Sequence, residues 1–182
     1  MHGSLLPKYR GRAPINWVLV KGEKETGATL HYMVAKADAG DIVGQKVVPI
    51  EDEDTALTLT KKVTAAACEI IKEVYPLIET KQLKPRKQDM SVSTYFGRRT
   101  PADGLINWHD NAQTIYNLIR AVTKPFPGAF FEEGGKKIII WRAKVLPNKT
   151  ELPAGTAVSQ TPYIITAADR DLEILEYEVQ EI

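Results

Sequence analysis

His2-Gly3-Ser4-Leu5-Leu6-Pro7-Lys8-Tyr9-Arg10-Gly11 is the stretch whose reading decides the fold. It opens on an imidazole and continues through a small flexible pair to two apolar anchors. A proline and a basic-aromatic turn then close on glycine. Gly3 and Gly11 permit backbone angles that other residues avoid, and Pro7 fixes one. The segment therefore reads as an ordered loop rather than a helix or a full strand. It feeds a helix at Arg12-Ala13-Pro14-Ile15-Asn16-Trp17. Pro14 suits a first helical turn, where its missing N–H costs little. Taken by position alone, His2 is a terminal residue that frays.

The spelling of the stretch changes that reading. His2 to Gly11, followed by Ala13-Pro14, resembles the active-site loop of the folate-dependent formyltransferases, the methionyl-tRNA formyltransferase family. In that family an asparagine stands two residues before the histidine, and Ser-Leu-Leu-Pro and Arg-Gly follow. The sequence here starts one residue before the histidine, so the asparagine has no counterpart. Lys36-Ala37-Asp38-Ala39-Gly40-Asp41-Ile42-Val43, a turn rich in Asp and Gly, resembles the family's Asp-x-Gly-Asp/Ala loop. It lies 36 positions after His2. The resemblance assigns His2 and Asp38 as the catalytic pair and leaves Asp41 as a turn residue. It also places Asp38 and Gly40 beside the folate and Arg10 beside the amine substrate.

Composition sets the outer bounds. The 182 residues are enough for one ample domain or two small ones. With 43% hydrophobic and 26% charged residues the chain is globular in type. A net charge of +1 gives no general attraction for nucleic acid. No apolar run has the length of a membrane span, and no leader segment is visible. The single cysteine, Cys68, cannot close an internal disulfide, which points to a reduced, cytoplasmic setting. No Cys/His cluster has metal-ligand spacing, so no metal is expected.

Along the chain, a largely buried helix is expected from about residue 13 to 21, ended by Gly22. Thr26-Gly27 reads as a turn into a strand over residues 28–33, with His31 outward or satisfied and without a catalytic role. A second strand is expected from Ile42 to Ile50. Asp54 is the expected N-cap of a long helix. Its apolar stripe, Leu57, Leu59, Val63, Ala66, Ala67, Ile70, Ile71, Val74, Leu77 and Ile78, reads as core. Residues 81–104 lack a period and read as a linker between a unit at 1–80 and a unit at 105–182.

Within that linker, Phe96-Gly97-Arg98-Arg99-Thr100-Pro101 resembles the sugar-nucleotide branch of the family, as in the formyltransferase domain of the UDP-4-amino-4-deoxy-L-arabinose enzyme. Arg98 and Arg99 would then hold a diphosphate through charge-assisted bonds. In the second unit Asp110 or Asn111 caps a helix to about Val122. Arg120-Ala121, then Pro125-Phe126-Pro127-Gly128-Ala129, resembles the opening of the family's C-terminal domain, which makes Arg120 a substrate-side candidate. Short strands follow at 129–131, 137–145, 156–158, 163–166 and 172–177, with a hairpin turn at Glu133-Gly134-Gly135-Lys136. Several short strands suggest a small barrel.

The resemblance thus implies an α/β chain. The C-terminal part of a Rossmann-like formyltransferase domain is followed by a small, open OB-like barrel. The implied reaction is transfer of the formyl group of 10-formyltetrahydrofolate to a primary amine. His2 takes the amine proton, and Asp38 orients the imidazole and stabilises its cation. The expected acceptor is a sugar nucleotide of the UDP-4-amino type. Methionyl-tRNA is the alternative, disfavoured because residues 105–182 hold eight Lys/Arg against ten Asp/Glu. A non-catalytic barrel or interaction fragment is the third reading. Because the upstream asparagine and strands have no counterpart, the chain is expected to be a poor enzyme alone. It is expected to self-associate or to need a partner chain that supplies the remaining half.

Overall fold

The computed structural model describes residues 1–182. The chain divides into two compact units, one of residues 1–18 with 23–99, the other of residues 19–22 with 100–182.

The first unit is built on an antiparallel pair, β2 (Glu25–His31) and β3 (Ile42–Pro49), in register from Glu25↔Pro49 to Leu30↔Gly44. The strand begins at Glu25, earlier than the Thr26-Gly27 turn expected from sequence. Gly27 lies inside the ladder opposite Val47, and Tyr32 and Met33 lie outside it. Four consecutive residues, Thr26 to Thr29, are buried, so both faces of β2 are covered and alternation is lost. One cover is the helix α2 (Ala56–Glu79), which buries Leu59, Val63, Ala66, Ile70 and Val74 at helical spacing. Gly44 is where strand and helix approach most closely: a Cβ there would lie 2.6 Å from Ile70 Cγ2 and 2.9 Å from Val74 Cγ2. The other cover is the His2–Gly11 segment itself.

Two expectations for α2 are corrected. Its N-cap is Thr55, which forms a reciprocal capping box with Thr58, while Asp54 sits one residue outside. Four of the ten residues of the apolar stripe, Leu57, Ile71, Leu77 and Ile78, are exposed and not core. Cys68 is exposed as well. Within the stretch read as a linker, the backbone is paired at two places. Arg86 forms a bridge with Ile42. Tyr95–Phe96 (β4) pairs in parallel with Arg10–Gly11 (β1), next to helix α1 (Pro14–Val20).

The second unit opens on α3 (Ala112–Val122), capped by Asn111. It packs on a five-stranded antiparallel sheet of order β5-β6-β9-β8-β7. The strands are β5 (Ala129–Glu133), β6 (Lys136–Val145), β7 (Ala157–Gln160), β8 (Tyr163–Thr166) and β9 (Asp171–Glu181). Gly134 and Gly135, both at positive φ, make the two-residue turn between β5 and β6. The edge strands β5 and β7 do not pair with each other, and β5 is bridged only at Phe130 by Leu105, so the sheet is not a closed barrel. Phe130, Ile139 and Trp141 form a buried cluster in it.

Candidate active site

The first eleven residues are held by β2. The His2 N–H donates to the Thr29 carbonyl at 2.8 Å and the Thr29 N–H returns the bond at 2.9 Å. The Thr29 hydroxyl donates to the Ser4 carbonyl at 2.6 Å and accepts from the Leu6 N–H and from Gln45 Nε2. Gln45 Nε2 also reaches the Leu6 carbonyl at 2.9 Å. His2 is therefore not frayed, and only 8% of its surface is exposed. Segment and strand satisfy each other's backbone groups, as burial requires.

The imidazole of His2 has one nitrogen at an acceptor that cannot donate. Nε2 lies 2.7 Å from the Tyr9 carbonyl, so Nε2 carries the hydrogen. In the neutral ring Nδ1 then holds a bare lone pair, and it faces Asp38 Oδ1 at 3.6 Å. Tyr9 is itself fixed. Its hydroxyl donates to Glu23 Oε1 at 2.6 Å, and burial together with that carboxylate holds the phenol well above its usual titration range.

Asp38 adopts φ +53°, a left-handed conformation that short polar residues tolerate better than most. Several groups hold it there. The Gly11 N–H donates to Asp38 Oδ2 at 2.9 Å. Arg10 Nε donates to the Asp38 carbonyl and Nη2 to the Ala37 carbonyl, both at 3.1 Å. Gln88 Nε2 donates to the Asp38 carbonyl at 2.8 Å and the Gly40 carbonyl at 2.7 Å. Gly40 lies so close to β2 that a Cβ would sit 1.9 Å from the Tyr32 carbonyl oxygen. The sequence thus brings His2 and Asp38 together by making the loop around Asp38 a rigid unit.

The other sequence candidates have different surroundings. Arg10, expected against substrate, is buried and spends its guanidinium on the Asp38 loop. Arg99 lies over the Trp17 ring at 4.6 Å, while Arg98 is exposed. Trp17 in turn meets Phe96, which stacks on Tyr9 at 4.8 Å. Arg120 belongs to the second unit, where Nε donates to Asn117 Oδ1 at 3.0 Å.

Asp38 has a second imidazole neighbour. His31 Nε2 lies 3.6 Å from the same Asp38 Oδ1, and the His31 side chain is only 9% exposed. His31, expected outward or satisfied, is satisfied by its Nδ1 contact with the Tyr32 carbonyl at 2.9 Å, and its Nε2 also faces Asp38. The sequence carried one signal for it, a second histidine on the strand that leads into the Asp38 loop. No group of three or more His, Cys, Asp or Glu side chains is arranged to hold a metal ion.

An imidazole with one nitrogen locked and the other open beside a carboxylate is suited to accept a proton from a nucleophile. The comparisons give this arrangement its class. The family profile "Formyl transferase" matches residues 1–75, and "Formyl transferase, C-terminal domain" matches residues 98–181. The chain belongs to the formyl transferase family. Its fold is similar to that of an N-formyltransferase from Helicobacter canadensis, solved with folinic acid and dTDP-3-aminofucose. The identity is 23% and the TM-score 0.78, over 96% of this chain and 64% of that one. HypX from Aquifex aeolicus, solved with tetrahydrofolic acid, matches 97% of this chain at 20% identity and a TM-score of 0.75. A methionyl-tRNA formyltransferase from Clostridium thermocellum matches along 100% of it at 22% identity and a TM-score of 0.65. The chain spans 31% of HypX and 67% of the tRNA enzyme.

Proposed function

We propose that this chain carries the proton-handling part of a formyl transfer from 10-formyltetrahydrofolate to a primary amine, with His2 and Asp38 as the catalytic pair. The observation that supports it most directly is the open Nδ1 of His2, aimed at Asp38 Oδ1 at 3.6 Å while Nε2 is locked on Tyr9. The folate co-substrate, when bound, supplies an activated formyl carbon. The chain's own residues do the rest. His2 Nδ1 takes a proton from the amine as its nitrogen attacks, and Asp38 beside it stabilises the resulting imidazolium. The Gly11 N–H holds the other carboxylate oxygen, so Oδ1 keeps its aim. Gly40 and the Asp38 backbone form the wall on the folate side.

The acceptor we favour is a sugar nucleotide of the UDP-4-amino type, with Arg98 as the exposed cation for its diphosphate. Folds similar to this one include an enzyme solved with a dTDP-aminosugar. Methionyl-tRNA is the second reading, supported by the similarity to the tRNA enzyme. The acidic balance of residues 105–182 speaks against it. Residues 1–80 are the catalytic part in this proposal, residues 81–104 the connection, and residues 105–182 an open OB-like module in a cytoplasmic protein.

The test assays formyl transfer by the protein in the form that turns over. The donor is 10-formyltetrahydrofolate, and the acceptors are a UDP-4-amino sugar, a dTDP-amino sugar and methionyl-tRNA. His2→Asn and Asp38→Asn should each lower turnover roughly 10²-fold or more without unfolding the chain. Near-normal turnover in either variant rejects the pair. Formylation of methionyl-tRNA with no reaction on amino sugars moves the assignment to the second reading.

A further inference from the structure

The placement of His31 has a chemical consequence. Its Nδ1 lies 2.9 Å from the Tyr32 carbonyl, an acceptor only, so Nδ1 carries the hydrogen. In the neutral ring the lone pair is then on Nε2, which faces Asp38 Oδ1 at 3.6 Å. His2 is locked in the opposite tautomer by Tyr9 and faces the same oxygen at the same distance. Two imidazole lone pairs converging on one carboxylate oxygen repel it. A proton on either ring, at the nitrogen facing Asp38, turns repulsion into an ion pair. The backbone is shaped for this: the β2–β3 ladder carries a bulge between Leu30 and His31. Such an irregularity re-aims a side chain and breaks the regular alternation. Burial rules out an idle surface histidine, since the ring is nearly as enclosed as His2.

The proposed reaction needs somewhere to put a second proton. A primary amine is an ammonium ion at neutral pH. One N–H bond must break to free the attacking electron pair. A second breaks as the new amide forms. The departing folate nitrogen takes one proton back, so one proton per turnover is left for solvent. His2 Nδ1 seats only one at a time.

We propose that His31 is a positioning residue that provides the second proton seat, exchanging a proton with His2 through Asp38 Oδ1. This inference rests on the reading of His2 and Asp38 as the catalytic pair. In the step, the Nδ1–H bond of His2 breaks and an O–H bond forms transiently at Asp38 Oδ1. That bond breaks in turn as Nε2–H forms on His31, with each heteroatom keeping the electron pair it releases. His2 returns to its open state while Asp38 ends as a carboxylate between one neutral ring and one cation.

The test is His31→Gln, whose amide fills the place of Nε2 and takes up no proton, beside His31→Asn, whose amide replaces the Nδ1 donor to Tyr32. In the form of the enzyme that turns over, His31→Gln should lower kcat by about 10- to 100-fold with KM unchanged. On residues 1–182 alone, nitrogen-15 spectra of the three imidazoles give a reading independent of activity. The His2 ring signals should move in His31→Gln and in Asp38→Asn, while His109, in the second unit, stays in place. Wild-type kcat in His31→Gln, or a His2 signal that ignores the substitution, overturns the proposal. So does loss of amide dispersion in both His31 variants, which makes His31 a purely structural residue. Retained turnover in His2→Asn and Asp38→Asn instead rejects the underlying catalytic pair, which separates the two failures.

Discussion

Gly40→Ala is the sharpest probe of how the site is held. The methyl group would be built 1.9 Å from the Tyr32 carbonyl oxygen and 2.7 Å from its carbon, both backbone atoms. An ordinary carbon–oxygen contact is about 3.3 Å or more, so loop or strand must give by about 1.4 Å. The loop has little freedom to do so. Tyr32 N–H is bonded to the Asp41 carbonyl at 3.0 Å on one side, and Gln88 grips the Gly40 and Asp38 carbonyls on the other. Overpacking of this kind costs about 1–3 kcal/mol. At about 3 °C per kcal/mol for a chain of this size, that is a fall in Tm of roughly 3–9 °C. A displacement near 1 Å of a catalytic group costs about 10² in rate, so kcat should fall by that order through Asp38. The assay is thermal unfolding followed by circular dichroism, paired with steady-state kinetics. Gly97→Ala is the control, because a Cβ there meets nothing within 4 Å. If Gly40→Ala matches Gly97→Ala in both Tm and kcat, the rigid-loop argument is wrong.

Two further outcomes follow from the same geometry. Arg10→Lys offers a point charge in place of a fork and cannot span the Ala37 and Asp38 carbonyls, so kcat and Tm should both fall while KM stays level; a rise in KM alone would show that Arg10 meets the substrate. Burial by itself would raise the Asp54 carboxyl, but bonds from Lys62, the Glu51 N–H and the Thr58 hydroxyl outweigh it and hold it below the ordinary range. Because the folded form binds its proton less readily than the unfolded one, this stability is present above the unfolded value of about 3.9 and is lost as pH falls through the folded value. Unfolding curves from pH 7 to pH 3 should show Asp54→Asn less stable at pH 7 and with a flatter acid limb, and parallel limbs would contradict the assignment.

How much of this was legible depends on whether the cause is local. The turn at Gly134-Gly135 and the apolar spacing of α2 are local, and the sequence shows them; it narrows the α3 cap to Asp110 or Asn111, of which the fold uses Asn111. Asp54 and Thr55 are both good caps, and the choice falls to Thr55 because Thr58 completes the box from N3. The usual Glu or Gln at N3 is absent, so that signal was weak. The exposed stripe of Leu57, Ile71, Leu77 and Ile78 has the same spelling as core. Periodicity reports which side of a helix is apolar and not how wide a partner covers it. The aim of the His31 ring was hidden for a different reason. It depends on one extra residue in the opposing strand, a register detail that no local pattern records.

The arginines show the same division between what a sequence contains and what a fold leaves available. Arg98 and Arg99 read as cations for a diphosphate, and Arg10 as a contact for the substrate. Arg10 follows the His2 loop and precedes Gly11, whose N–H must reach Asp38, so its side chain enters the same loop and meets carbonyls there. A guanidinium buried at 4% exposure persists only with such partners. Arg99 lies on a ring wall made continuous by Trp17, Phe96 and Tyr9, and Tyr9 carries the carbonyl that locks His2. These two arginines therefore act on the site through Asp38 and through His2. Arg98, exposed on the same short segment, is the one whose position suits a ligand's charge. Under the proposed function, substrate affinity and catalytic geometry then rest on different arginines. A change of acceptor within this family can alter the first without disturbing the second.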